Sequence, residues 1–135
     1  MDVRTDRWKE NSIKKDSLKY SREHLWVYEE GNTAWIGLSA HALKMLGTVV
    51  FLNLPETGER YARGDAFGDI ESVKTVSDLI APADMEILSV NDALAEDAGL
   101  LDGNLEQSWL AQVEFQSQLE GLMDEAAYVQ YANQL

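Results

Sequence analysis

Short runs of β-branched and aromatic residues, broken by turn formers every 8–12 residues, limit this chain to a mainly β architecture. Leu25-Trp26-Val27-Tyr28, Gly31-Asn32 and Thr33-Ala34-Trp35-Ile36-Gly37 read as strand, tight turn and strand. Thr48–Leu54 is a further strand that stops at Pro55, where the ladder loses a donor. Ala66–Val73, Thr75–Ala81, Glu86–Val90 and Trp109–Phe115 complete the set. Helical signals are few. Ser39 can cap a short helix over Ala40–Leu46, and Gly47 stands where helices stop. Residues 92–107 read as part helical turn, part loop. Leu119, Leu122, Met123, Ala126, Ala127 and Val129 fall at helical spacing and predict a C-terminal helix. The expected core is Tyr20, Trp26, Trp35, Val50, Leu52, Phe67, Ile70, Leu79, Ile87, Val90, Trp109, Leu110 and Val113.

A length of 135 residues suits one domain, here read as 19–135 behind a polar extension over 1–18. No apolar run approaches the ~18 residues of a membrane span, and the first residues lack the apolar core of a secretion signal. Cysteine is absent, which removes disulfides and thiolate chemistry. A cytoplasmic monomer is the expectation. The net charge is −13, and residues 75–135 hold twelve acidic side chains but no Lys or Arg. Such a surface repels phosphate backbones, so nucleic acid is not an expected partner; it suits docking onto basic protein surfaces and equally suits simply keeping a small protein soluble.

The residues do not assemble a catalytic constellation. His24 and His41 have no partner at metal-ligand spacing, so no metal is expected. No serine sits in a G-x-S-x-G elbow, and no glycine-rich phosphate loop occurs. The lysines are more informative. After Lys9, Lys14, Lys15, Lys19 and Lys44 comes Lys74, and then none. Lys74 falls between two strands, bracketed by Val73 and Val76, which are expected to pack the strands up to the tip while the amine points outward. Taken alone, this pattern also describes an ordinary solvated turn lysine.

A resemblance decides between those readings. Glu71-Ser72-Val73-Lys74-Thr75-Val76-Ser77-Asp78-Leu79 with Ala81-Pro82 resembles the lipoyl-attachment segment of H proteins of the glycine cleavage system. The likeness runs from about Lys19 to Tyr131 through Lys19-Tyr20-Ser21, His24, Trp26, Ile36-Gly37-Leu38-Ser39, Leu54-Pro55-Glu56-Thr57-Gly58, Phe67-Gly68, Val90-Asn91 and Trp109-Leu110. It implies a lipoyl/biotinyl-type barrel-sandwich of two antiparallel sheets with short flanking helices. Val73 and Thr75 stand where biotinyl carriers usually have Met, which disfavours biotin.

By that resemblance the chain is a non-catalytic carrier, with lipoate joined to Lys74 by a lipoate–protein ligase or a lipoyl/octanoyl transferase. The arm takes an aminomethyl group from glycine decarboxylase to aminomethyltransferase and is reoxidised by dihydrolipoyl dehydrogenase. Glu71, Ser72, Val73, Thr75, Ser77 and Asp78 are the implied recognition residues around Lys74. Glu23, His24 and Leu25 are the implied wall of a cleft that shelters the loaded arm. The chain departs from the family at Leu25, where a glutamate is usual, and at Asp84-Met85, where the family has a Ser-Gly turn. Leu25 brings no polar partner for a cationic group, which keeps a second reading open: an H-like lipoyl carrier outside glycine cleavage, in a lipoyl or octanoyl relay or another redox pathway.

Overall fold

The structure, a computed structural model, describes residues 18–134. The predicted polar extension therefore lies outside the described residues, except for Leu18, which is buried in the core. Among the described residues, nine strands form two antiparallel sheets. The larger sheet has the order β1 (Lys19–Tyr20), β2 (Leu25–Glu30), β3 (Thr33–Leu38), β9 (Trp109–Phe115), β8 (Met85–Val90) and β5 (Arg60–Tyr61). The smaller has β4 (Val49–Asn53), β6 (Ala66–Ser72) and β7 (Val76–Ile80). The sheets stay separate, so the expected two-sheet architecture takes the form of an open sandwich. Helix α1 (Ala40–Leu46) links the sheets, α2 (Asp92–Glu96), a 3-10 turn (Ala98–Asp102) and α3 (Leu105–Ser108) precede β9, and α4 (Glu125–Asn133) ends the fold.

Alternation along the strands builds two apolar layers on the larger sheet. Leu25, Val27, Ile36, Ile87 and Val113 face the inner side of the smaller sheet, with Leu52, Phe67, Ile70 and Leu79 opposite. Burial of each such side chain contributes about 1.5–3 kcal/mol. Tyr20, Trp26, Trp35 and Tyr128 form a second cluster under α4. Gly37 is required there: a Cβ would lie 2.5 Å from the Trp26 ring.

Several expectations hold. Ser39 caps α1 by accepting from Ala42 N at 3.1 Å, and Gly47 takes the C-cap with a φ of 74°, which favours glycine. The Asp84 turn needs no positive φ, because the Asp84 side chain accepts from Arg63 N at 2.9 Å while its own N–H donates to Ser117 Oγ at 3.0 Å. Others need correction. Val50 is not in the core but exposed. The register slips between Val49 and Phe51, so Val50 is a bulge residue turned outward rather than inward. Val90 and Trp109 are only half-buried. The C-terminal helix starts later than its apolar spacing predicts, at Glu125, with the carboxylate of Asp124 accepting from Ala127 N at 2.8 Å as its cap. Met123 is instead paired with Tyr20 through two backbone hydrogen bonds of 2.8 Å, and Val129 faces solvent.

Candidate functional site

The β6–β7 hairpin extends beyond the inner apolar layer and ends in a turn built by one hydroxyl. Ser72 N donates to Thr75 O at 2.8 Å, and Ser72 Oγ accepts from Lys74 N and Thr75 N, each at 3.1 Å. The same oxygen lies 3.2 Å from Thr75 O, to which it donates. Ser72 is itself buried, so its hydroxyl serves the turn and not an incoming partner. A second support comes from the α1–β4 junction, where Val73 N donates to Thr48 O at 3.0 Å. Local hydrogen bonding of this kind orders a loop that would otherwise sample many states.

Lys74 is exposed at the apex, and among the described residues no hydrogen bond or ion pair holds its amine. Its methylenes lean over Gly47: Cε lies 3.6 Å from where a Cβ on that residue would sit. Sequence reasoning found Gly47 as a helix stop but missed its place beneath the lysine, a tertiary contact with no local signal. The expectation that Val73 and Val76 pack the strands is overturned. They are 67% and 61% exposed. The hairpin has run past the core at that height, so neither valine has an opposite sheet to pack against.

Of the other predicted site residues, Glu71, Thr75, Ser77 and Asp78 are exposed along the same hairpin. The three cleft residues part company. Glu23 is exposed and lines a cavity of about 200 Å³ with Arg22, Arg63, Ile80 and Glu120. His24 turns the other way. It adopts a φ of 72°, rare for a residue with a Cβ, and its Nδ1 lies 2.7 Å from the Tyr128 hydroxyl under α4. Leu25 is 1% exposed within the main core, because strand alternation points it inward, and it offers no surface to a cleft. Asp78 belongs to a separate groove of about 460 Å³ beside Glu56, Glu59 and Asp69. There the Glu59 carboxyl is held below its ordinary range by the Glu56 N–H and then by the Tyr61 hydroxyl, and Tyr61 is pushed up to about 12, first by burial. Four carboxylates, Glu56, Glu59, Asp69 and Asp78, line the groove.

No group of three His, Asp or Glu side chains among the described residues is arranged to hold a metal, and no described helix is long and apolar enough to cross a membrane.

A rigid two-sheet sandwich that presents one unpaired amine on a braced hairpin has the form of a carrier domain. The protein-family model described as glycine cleavage H-protein matches residues 18–135. A mitochondrial glycine cleavage system H protein of Oryza sativa subsp. indica is 42% identical over 122 residues, covering 88% of this chain and 74% of that relative. A glycine cleavage system H protein of Thermoanaerobacter sp. is 39% identical over 121 residues, covering 88% and 96%. The crystal structure of a glycine cleavage system H protein from Mycobacterium marinum superposes with a TM-score of 0.78 at 33% identity, covering 90% of this chain and 98% of that one. The chain belongs to the glycine cleavage H-protein family, whose members are carrier subunits.

Proposed function

We propose that Lys74 carries lipoate in amide linkage and that the chain serves glycine cleavage as its non-catalytic H-type carrier, meeting a decarboxylase, an aminomethyltransferase and a dihydrolipoyl dehydrogenase in turn. The observation that carries this is the unpaired, exposed amine at an ordered tip in a chain of this family. The residues fit the group: nothing in the described chain must be displaced for the amine to be acylated. With an acyl adenylate as donor, the Lys74 nitrogen bonds to the acyl carbon and AMP leaves with the electrons of the acyl–oxygen bond. The ammonium gives up two protons in becoming an amide. When attached, lipoate supplies the redox-active disulfide that takes up and releases a one-carbon amine unit.

The chain's own residues do the rest. Ser72 and Thr48 O brace the tip, so the attachment point is delivered in one conformation. The fixed tether converts successive encounters into events at high effective concentration. Lys74→Ala should fold as the parent does and gain no lipoyl mass on incubation with a lipoate–protein ligase, lipoate and ATP. An acyl group mapped to another lysine would overturn the assignment.

A second reading, an H-like carrier outside glycine cleavage, is favoured by one observation: Leu25 stands where the family usually has a glutamate, so that position supplies no carboxylate. Glycine–CO₂ exchange with a glycine decarboxylase separates the two. Exchange by fully lipoylated protein supports the first reading, and its absence supports the second.

A further inference from the structure

Whatever enzyme acylates Lys74 has to rest on surface next to it, and the chain leaves one side of the tip free. The β4 side is taken up by Thr48, which binds Val73, and by Gly47, which lies beneath the lysine methylenes. Among the described residues, no element covers the outer face of the three-stranded sheet, where Phe51, Glu71, Val76 and Asp78 are exposed. Register pairing aligns its side chains in rows. Phe51, Glu71 and Val76 form the row next to the tip, and Asn53, Asp69 and Asp78 the row behind it. Phe51 is 56% exposed, and the bulge turns Val50 outward beside it. Solvent-facing sheet positions are ordinarily polar, so adjacent exposed apolar residues beside a modifiable amine form a patch with an occupant. Glu71 stands between Phe51 and Val76 in the first row, and behind that row the face is wholly polar and acidic, continuing into the groove of Glu56 and Glu59; none of these rows or groove residues is Lys or Arg.

We propose that this face, with apolar Val50, Phe51 and Val76 around Glu71 beside Lys74 and acidic residues farther from it, is the docking surface for the acylating enzyme, which meets it with apolar contacts among basic side chains. The proposal rests on Lys74 being the acylated residue. Apolar contact at Phe51, Val50 and Val76 holds the complex, and the acidic rows steer it and set its register.

The test is steady-state lipoylation of the full chain by a lipoate–protein ligase from the same organism, with ATP and free lipoate. Phe51→Ser and Val76→Thr lie on the surface and are checked for an unchanged melting curve. Each should raise KM for the carrier by about tenfold while kcat stays within about twofold, as removal of an interfacial anchor does. Asp69→Lys should lower kcat/KM at low salt, and the loss should shrink near 1 M salt, where the Debye length is about 3 Å. Glu29→Gln and Val129→Ser, exposed elsewhere on the molecule, should behave as wild type. Acylation of the face variants with wild-type KM, or equal losses in the two remote variants, overturns the docking surface and leaves Lys74 as the site. A wild-type chain that accepts no acyl group overturns both.

Discussion

At the scale of single residues, the tip is governed by Ser72 and the region under α4 by His24. The Tyr128 hydroxyl lies 2.7 Å from both His24 Nδ1 and Ser39 Oγ, and Ser39 Oγ also accepts from Ala42 N, so the three side chains form one hydrogen-bonded chain. Burial, and then the neighbouring His41, lowers the His24 pKa below its ordinary value of about 6.5, while Glu23 opposes the shift. Burial likewise raises Tyr128 and keeps its proton in place. A base with a depressed folded-state pKa binds fewer protons folded than unfolded. Its contribution to stability is therefore complete above about pH 6.5 and is lost as the pH falls from there through the lower folded value. Urea titrations across that window should show stability falling with acid, and His24→Asn, which tolerates the positive φ, should flatten the fall. An equally steep profile in that variant would assign the effect elsewhere. Ser39 as a cap and Lys74 as a hairpin-tip lysine were legible because their signals are local, a hydroxyl ahead of a helical run and an isolated lysine between two strands, whereas the carrier role of Lys74 came only from the resemblance of its segment to H proteins. The inward turn of Leu25 and the separation of His24 from Glu23 were not, because they follow from strand pairing and a left-handed residue that no neighbouring side chain announces.

At the scale of elements, strand β9 and helix α1 match their predicted limits, since each is bounded by its own turn or cap chemistry. Strands β1 and β5 escaped notice for the opposite reason. Two residues carry no periodicity, and Lys19-Tyr20 and Arg60-Tyr61 are strands only because β2 and β8 pair with them. The late start of α4 was marked by Asp124, a good N-cap, which the apolar spacing from Leu119 onward obscured. Asp124→Ala should cost about 1 kcal/mol of stability through the lost hydrogen bond to Ala127 N. Amide exchange across Glu125–Asn133 should rise before that of the sheets. Uniformly faster exchange throughout the molecule would contradict a local role. At β4 the bulge at Val50 reverses what alternation alone predicts, and it makes the exposed apolar row beside the hairpin.

At the scale of the whole molecule, one sheet is shared by both apolar clusters. Both clusters pack on strands of the same sheet, so unfolding should be a single transition, with tryptophan fluorescence from Trp26 and Trp35 tracking far-ultraviolet circular dichroism. Two separated midpoints would show that the clusters melt independently. The acidic surface is equally a global property, with a net charge of −13 that favours encounters with basic partners. The sequence alone determined the mainly β class, the short helices and the lysine at a hairpin apex, because period-two burial, turn residues and helix caps act between near neighbours in the chain; the two-sheet sandwich was implied only by the family resemblance. Only the tertiary structure decided which sheet α4 covers, that Val73 and Val76 stand clear of the core, that Gly47 lies under Lys74, and that Leu25 is lost to the interior. Those outcomes depend on where distant strands register and where one sheet ends above another, and such separations are set by packing rather than by local order.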